Sequence, residues 1–199
     1  MLLYIYIKLL GVIIINIYIS SIKKRGLFIL TTFVLVLSMI TLTSQHCEAR
    51  TKAANQTQIA GNNNVEKAWN FYISQGFSKE ATAGILGNYM RESRMNPSII
   101  ERGNNIGFGI AQWSFGRRIN LEKWTKQNKY ASNSLEAQLR FSIVEMQNMS
   151  FGKYNYSSFK KINNVREATA VFEKYFERAG VVAIEERTRY AEEIYRKYA

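Results

Sequence analysis

The chain has 199 residues and carries 27 Lys plus Arg against 15 acidic side chains, a formal net charge of +12. Every acidic residue is a glutamate, because no aspartate occurs anywhere, and the single histidine (His46) and single cysteine (Cys47) close an apolar N-terminal stretch. This composition excludes Ser-His-Asp and Cys-His nucleophilic catalysis from the part that folds, along with zinc sites built from His or Cys. Any enzymatic chemistry is carboxylate chemistry, and no metal or cofactor is implied.

Residues 1–49 read as a leader. Lys23-Lys24-Arg25 is a basic n-region, residues 27–42 are apolar, and Cys47-Glu48-Ala49 offers small side chains at the −3 and −1 positions of a cleavage site after Ala49. A second apolar run, residues 2–22, is of membrane-spanning length; it reads either as a span or as an extension upstream of an ordinary signal peptide. Secretion is the expectation, and anchoring through an uncleaved N-terminal segment is the alternative. Cleavage after Ala49 leaves 23 Lys plus Arg against 14 Glu, about +9, on a chain long enough for one domain with a sizeable core. Such a charge suits an anionic polymer: a bacterial wall, a membrane surface or nucleic acid.

Residues 50–64 are polar and lack apolar period, which predicts a flexible linker ahead of a domain over residues 65–199. Val65, Ala68, Trp69, Tyr72 and Ile73 are spaced for a helix behind an Asn64 cap, stopped by Gly76. Ser78 caps a second helix from Lys79 to about Arg91. Residues 96–114, with Pro97, an Asn-Asn pair and Gly103, Gly107 and Gly109, read as loop or short hairpin. Helical pattern resumes over residues 117–128, over 135–149 behind Ser134, over 165–178 behind Asn164, and over 185–198; residues 151–161 are aromatic and turn-like. The expected fold is mainly α, with five or six helices around a Gly-rich segment.

On the second helix Ala81, Ile85, Asn88 and Glu92 form one stripe, so a helix that enters the core offers its last members to a cleft edge. Gly84 and Gly87 each cost helix propensity of about 1 kcal/mol, which predicts a neighbour packed very close. Glu92 sits where Pro97 forces the helix to end. The carbonyl end of the dipole and burial both disfavour its charged form, as a general acid requires, unless Arg91 or Arg94 folds back onto it.

Gly87-Asn88-Tyr89-Met90-Arg91-Glu92-Ser93-Arg94-Met95-Asn96-Pro97 followed by Gly107-Phe108-Gly109-Ile110-Ala111-Gln112-Trp113 and Arg117 or Arg118 resembles the phage tail lysozyme family. More distantly, the Glu-Ser and Gly-to-Gln elements are similar to goose-type lysozymes and soluble lytic transglycosylases. The likeness runs from Val65 to near the C-terminus and takes in Gln75-Gly76-Phe77-Ser78, Glu136-Ala137-Gln138-Leu139-Arg140-Phe141 and Tyr175-Phe176-Glu177-Arg178. It implies an α+β lysozyme-like fold and cleavage of the β-1,4 bond between N-acetylmuramic acid and N-acetylglucosamine in peptidoglycan. Glu92 matches the acid that protonates the glycosidic oxygen. Gln112 and the backbone around Gly109 then line the sugar groove. Trp113 stacks on a sugar or closes the core beneath it; Asn88 bonds Glu92 or an acetamido group, or merely packs the helix; Arg117 and Arg118 neutralise substrate carboxylates or cap a helix turn.

A second carboxylate is harder to assign. Glu101 lies in the loop between the two motif halves and is the nearest candidate to position a water, while Glu173 or Glu177 reads as an ion-pair partner for an arginine. Lytic transglycosylation, which needs one acid/base, stays open beside hydrolysis. A cationic wall- or membrane-binding antibacterial protein without catalysis is the competing class; nucleic-acid binding rests on charge alone and is not expected. The domain is expected to be monomeric.

Overall fold

The computed structural model describes residues 59–103, 105–178, 180 and 182–199. The expected leader (1–49), its candidate span (2–22) and residues 50–58 of the expected linker lie outside these. Among the described residues no helix is long and apolar enough to cross a membrane. Residues 59–64, expected within the linker, are tied to the domain. Ile59 packs against the core, Ala60 accepts a hydrogen bond from the Asn70 amide at 2.9 Å, and Asn63 caps the first helix.

Among the described residues seven α-helices carry the fold: α1 Asn64–Ser74, α2 Lys79–Ser93, α3 Phe115–Gln127, α4 Leu135–Gln147, α5 Tyr156–Phe159, α6 Val165–Phe172 and α7 Ile184–Tyr198. Most begin as the sequence dictates. Ser78 accepts from Ala81 N at 3.0 Å, Ser134 from Ala137 N at 3.1 Å and Asn164 from Glu167 N at 2.8 Å, each satisfying a backbone donor that the first turn leaves unpaired. The first cap is Asn63 rather than Asn64, whose side chain instead donates to Met95 O at 2.9 Å. Two departures from expectation follow chain order. Within residues 151–161 an Asn155–Ser158 capping box starts the short helix α5. The helix expected over 165–178 leaves α geometry after Phe172 and runs as a π-helical turn, Glu173–Glu177, closed by Arg178 N donating to Glu173 O at 2.9 Å.

The core is built around α2. Every residue from Ala81 to Tyr89 is buried, so this helix is enclosed on all sides rather than along one stripe. Its neighbours are α1, α6 and α7. Aromatic rings fill the space between α6 and the 151–159 segment: Phe151 stacks on Phe159 at 4.5 Å and Phe172 on Phe176 at 4.4 Å. Such offset pairs add roughly 0.5–1.5 kcal/mol each beyond the area they bury. Residues 96–114 form no strand, only bridges from Phe108 to Ile100 and to Trp113. The Phe108–Trp113 pair closes a hairpin-like turn, with N···O distances of 3.0 and 2.9 Å.

The close approach foreshadowed by Gly84 and Gly87 is present. A Cβ on Gly84 would lie 2.7 Å from Thr169 N on α6, and one on Gly87 would lie 2.5 Å from Arg187 O and 2.8 Å from Ala191 N on α7. These are backbone atoms, which cannot swing aside. Alanine gains about 1 kcal/mol in helix propensity, but overpacking against backbone costs about 1–3 kcal/mol or more, and the clash wins. Gly87→Ala is therefore expected to lower unfolding free energy by about 2 kcal/mol, read by denaturant titration. A neutral or stabilising result would contradict this packing.

Candidate active site

Glu92 owes its position to a helix that is stopped abruptly. The two residues after Ser93, Arg94 and Met95, both adopt left-handed backbone (φ 54° and 60°), a conformation that costs side-chain-bearing residues of order 1–3 kcal/mol each. The surroundings hold the strain in place. Met95 is buried, its carbonyl accepts from Asn64, and Ser93 Oγ donates to Ile110 O at 2.9 Å, fastening the helix end to the Gly-rich loop. Glu92 is left at the rim, its side chain 21% exposed.

Its immediate partner is not a neighbour in sequence. Arg91 pairs with Glu186 at 2.7 Å and Arg94 lies over the Tyr190 ring at 4.9 Å, so neither folds back onto Glu92. Arg187 of α7, with a side chain only 3% exposed, donates from Nη2 to Glu92 Oε1 at 2.5 Å, from Nη1 to Asn88 Oδ1 at 3.1 Å and from Nε to Glu173 Oε1 at 2.9 Å. All three guanidinium nitrogens are used. Glu173 also accepts from Ala183 N at 2.8 Å, which fastens the start of α7.

The opposite wall is the Gly-rich loop, held from behind by Gln138 of α4. The Gln138 carboxamide accepts from Ile110 N at 2.9 Å and donates to Pro97 O at 2.7 Å and Ser132 O at 2.8 Å. Gly109 (φ +74°) lies so close to this amide that a Cβ would meet Gln138 Oε1 at 2.5 Å. Gln112 donates to Gly109 O at 2.9 Å, and Glu101 Oε2 accepts from Gly107 N at 3.1 Å.

Between these walls lies a cleft of about 520 Å³ that Glu92, Glu101, Ala111, Gln112, Ser114, Glu177 and Arg187 line. A larger hollow of about 660 Å³ between the start of α1 and α7 holds one carboxylate, Glu193, already paired with Arg189 at 2.8 Å. The chemistry therefore points to the smaller cleft. Glu177, like Arg187 and Ser114, is a member that the sequence did not assign to it. The residue keeps partial exposure, yet its Oε1 is fully enclosed and has no hydrogen-bond partner among the described residues. Burial pushes its carboxyl well above the usual glutamate range; the nearby charge of Glu92 adds to this, Arg117 and Arg187 oppose it, and Glu145 reinforces it.

Several expected substrate contacts are structural instead. Asn88 is fully buried: its amide donates to Gly84 O and Thr169 O, and its oxygen holds Arg187. Trp113 is also fully buried, edge-on to Phe141 at 5.8 Å, with its indole N–H donating to Glu145 Oε2 at 2.5 Å, so no sugar reaches its face. Arg117 forms a two-pronged pair with Glu145, both contacts at 3.0 Å, and donates to Phe176 O at 3.1 Å; it braces α3 against α4 and the π turn. Arg118 bonds Glu122 and the carbonyl of Asn105. Gly109 does not line the cleft: the side where a Cβ would stand faces Gln138, and its carbonyl is taken by Gln112. Glu92, Gln112 and the exposed Glu101 do share the cleft.

Two consequences are measurable. Arg187→Ala leaves Glu173 and Glu92 without their cation and is expected to cost about 3–5 kcal/mol of stability by chemical denaturation. For Glu177 the folded-state value lies above the unfolded one, so its contribution to stability is fully present below about pH 4.5 and is lost as pH rises through the raised value. Thermal midpoints of the wild type are expected to decline across that window, and those of Glu177→Gln to decline less; parallel curves would refute the assignment.

The family of phage tail lysozymes matches residues 63–198, from the cap of α1 to the end of α7. Morphogenesis protein 1 of Bacillus phage B103 is 26% identical over 128 residues, covering 58% of this chain and 33% of that protein, so the chain spans about a third of the relative's length. With a mainly helical lysozyme-like fold and the match running through the Glu92 helix, the Gly-rich loop and the π turn, the chain belongs to the phage tail lysozyme family.

Proposed function

We propose that this protein is a peptidoglycan-degrading glycosidase that cleaves the β-1,4 bond between N-acetylmuramic acid and N-acetylglucosamine, with Glu92 as general acid. The single observation that carries the reading is a glutamate held by a strained helix end at the rim of a cleft, facing a loop wall whose backbone and Gln112 suit a polar sugar chain. Family membership supports the same substrate class. In the reaction Glu92 gives its proton to the bridging oxygen and the C1–O bond breaks, its electron pair leaving on that oxygen. Positive charge builds on C1 and the ring oxygen, and water adds to C1, returning a proton to Glu92. The alternative nucleophile is a hydroxyl of the substrate's own sugar, as in a lytic transglycosylase. The surplus of 12 positive charges draws the chain to an anionic wall. Export through the N-terminal leader, with action outside the cell as a monomer, belongs to the same proposal.

The test is release of soluble muropeptides from purified peptidoglycan, with product ends read by mass spectrometry. Reducing ends identify hydrolysis and anhydro ends identify transglycosylation. Glu92→Gln is expected to lower release by about 10²–10⁴-fold while sedimentation with the insoluble wall persists. Wild-type protein that binds but releases nothing would leave the cationic wall-binding reading in its stead.

A further inference from the structure

Four carboxyl groups and two guanidinium groups meet behind the cleft. Glu145 occupies both forks of Arg117, and Glu92 and Glu173 divide Arg187 between them. Neither guanidinium forms an ion pair with Glu177, whose enclosed Oε1 lacks any hydrogen-bond partner among the described residues. Yet Glu177 borders the same cleft as Glu92. An enclosed carboxylate oxygen with neither ion-pair partner nor donor disfavours the charged form, and burial with the nearby Glu92 pushes this carboxyl well above the usual glutamate range. The backbone that delivers it is unusual as well: Glu177 closes a π-helical turn that begins at Glu173, the residue that holds Arg187.

From this geometry we infer that Glu92 and Glu177 act as a carboxyl pair holding one proton between them, with Glu177 the positioning residue that keeps the acid charged for Glu92. The inference rests on the role proposed for Glu92. While Arg187 binds the Glu92 carboxylate, the proton resides on Glu177. When a bridging oxygen enters the cleft, the proton passes to Glu92 and on to that oxygen. Glu177 is then a carboxylate, and its negative charge stands in the cleft where positive charge develops on the sugar. The water that adds to C1 releases one proton to the pair, restoring it, so protons and electrons balance without any further reactant.

The surroundings of Glu177 make the pair specific. From α2 it is faced by Glu92 and Tyr89, from α1 by Tyr72, from α3 by Arg117, from α4 by Glu145 and from α7 by Arg187. The two tyrosines bond each other at 3.2 Å, and burial keeps both phenols neutral, so they bring no charge. Arg117 is already neutralised by Glu145. Among the groups that face Glu177, Glu92 is the one that lines the cleft and whose charge rises and falls during the proposed reaction. The like-charge coupling between it and Glu177 is what a shared proton requires.

The experiment compares pH–rate profiles of peptidoglycan solubilisation for the full-length wild type, Glu177→Gln and Glu92→Gln, with thermal melting as a check of folding. Glu177→Gln is expected to shift the alkaline limb to lower pH by about one unit or more, losing roughly tenfold at neutral pH and regaining activity in acid. A purely structural role would lower its rate by one factor at every pH, and that outcome overturns the inference. Should Glu177→Gln fail to fold, ¹³C carboxyl shifts decide in its place. Glu177 is expected to titrate above the usual glutamate range in the wild type and at lower pH in Glu92→Gln; titration in the ordinary range, or no response to Glu92→Gln, overturns the pairing. Full activity in Glu92→Gln would instead remove the role of Glu92, and the inference with it.

Discussion

One buried guanidinium organises this domain. Arg187 reaches from α7 to the helix that carries Glu92, to Asn88 one turn earlier on that helix, and to Glu173 at the start of the π turn. A charge with a side chain 3% exposed is retained only if it is neutralised and its donors are all used. That requirement fixes the spacing of three segments at once. It also explains why α2 needs Gly87: for a side chain of α7 to reach both Asn88 and Glu92, the α7 backbone must lie against α2 with no Cβ between them, while Gly84 admits the backbone of α6 in the same way. The small residues and the buried arginine are two parts of one constraint.

A second brace serves the other side of the cleft. Gln138 supports the loop through two hydrogen bonds, to Ile110 N and Pro97 O, and Arg117 with Glu145 supports the turn that presents Glu177. Neither brace touches the cleft's contents, yet each sets the position of a group that does. Strain is concentrated where this support is densest. The left-handed residues Arg94, Met95 and Gln112 lie at the end of α2 and in the loop it is fastened to, and Arg178 ends the π turn. Such conformations persist only where tertiary contacts over-determine them.

Local chemistry was legible from the sequence, and distant pairing was not. Ser78, Ser134 and Asn164 announce their helices because a cap acts within three residues. Gly84 and Gly87 announce a close neighbour because glycine inside a helix needs a reason. Glu92 stands out because the acid is flanked by a forced helix end and a Gly-rich loop. By contrast, Asn88, Trp113 and Arg117 are residue types that suit sugar binding and core bracing alike, and only burial decides between them. Arg187 lies 95 residues from Glu92 along the chain, with no periodic signal linking the two. The π turn is equally silent: Glu173 and Glu177, four residues apart at its two ends, read as two of a kind in the sequence, whereas one takes the arginine and the other lines the cleft.

The contrast between the surface and the site completes the physical picture. The chain is strongly cationic as a whole, while the interior behind its cleft holds twice as many carboxyl groups as guanidinium groups. The two scales act over different ranges. Net surface charge is felt out to about a Debye length, near 8–10 Å at physiological salt, and governs encounter with an anionic polymer. The enclosed carboxyls are screened far less by salt and act only on what has already entered. On the proposed function, an anionic chain attracted by the exterior meets a cleft where Arg91, Arg178 and Arg187 stand beside Glu92, Glu101 and Glu177, and the carboxyl that gives up its proton there favours a ligand that is gaining positive charge. A cleft that turns from indifferent to attractive as charge develops at a sugar carbon discriminates between ground state and transition state, which is the condition that catalysis imposes and simple binding does not.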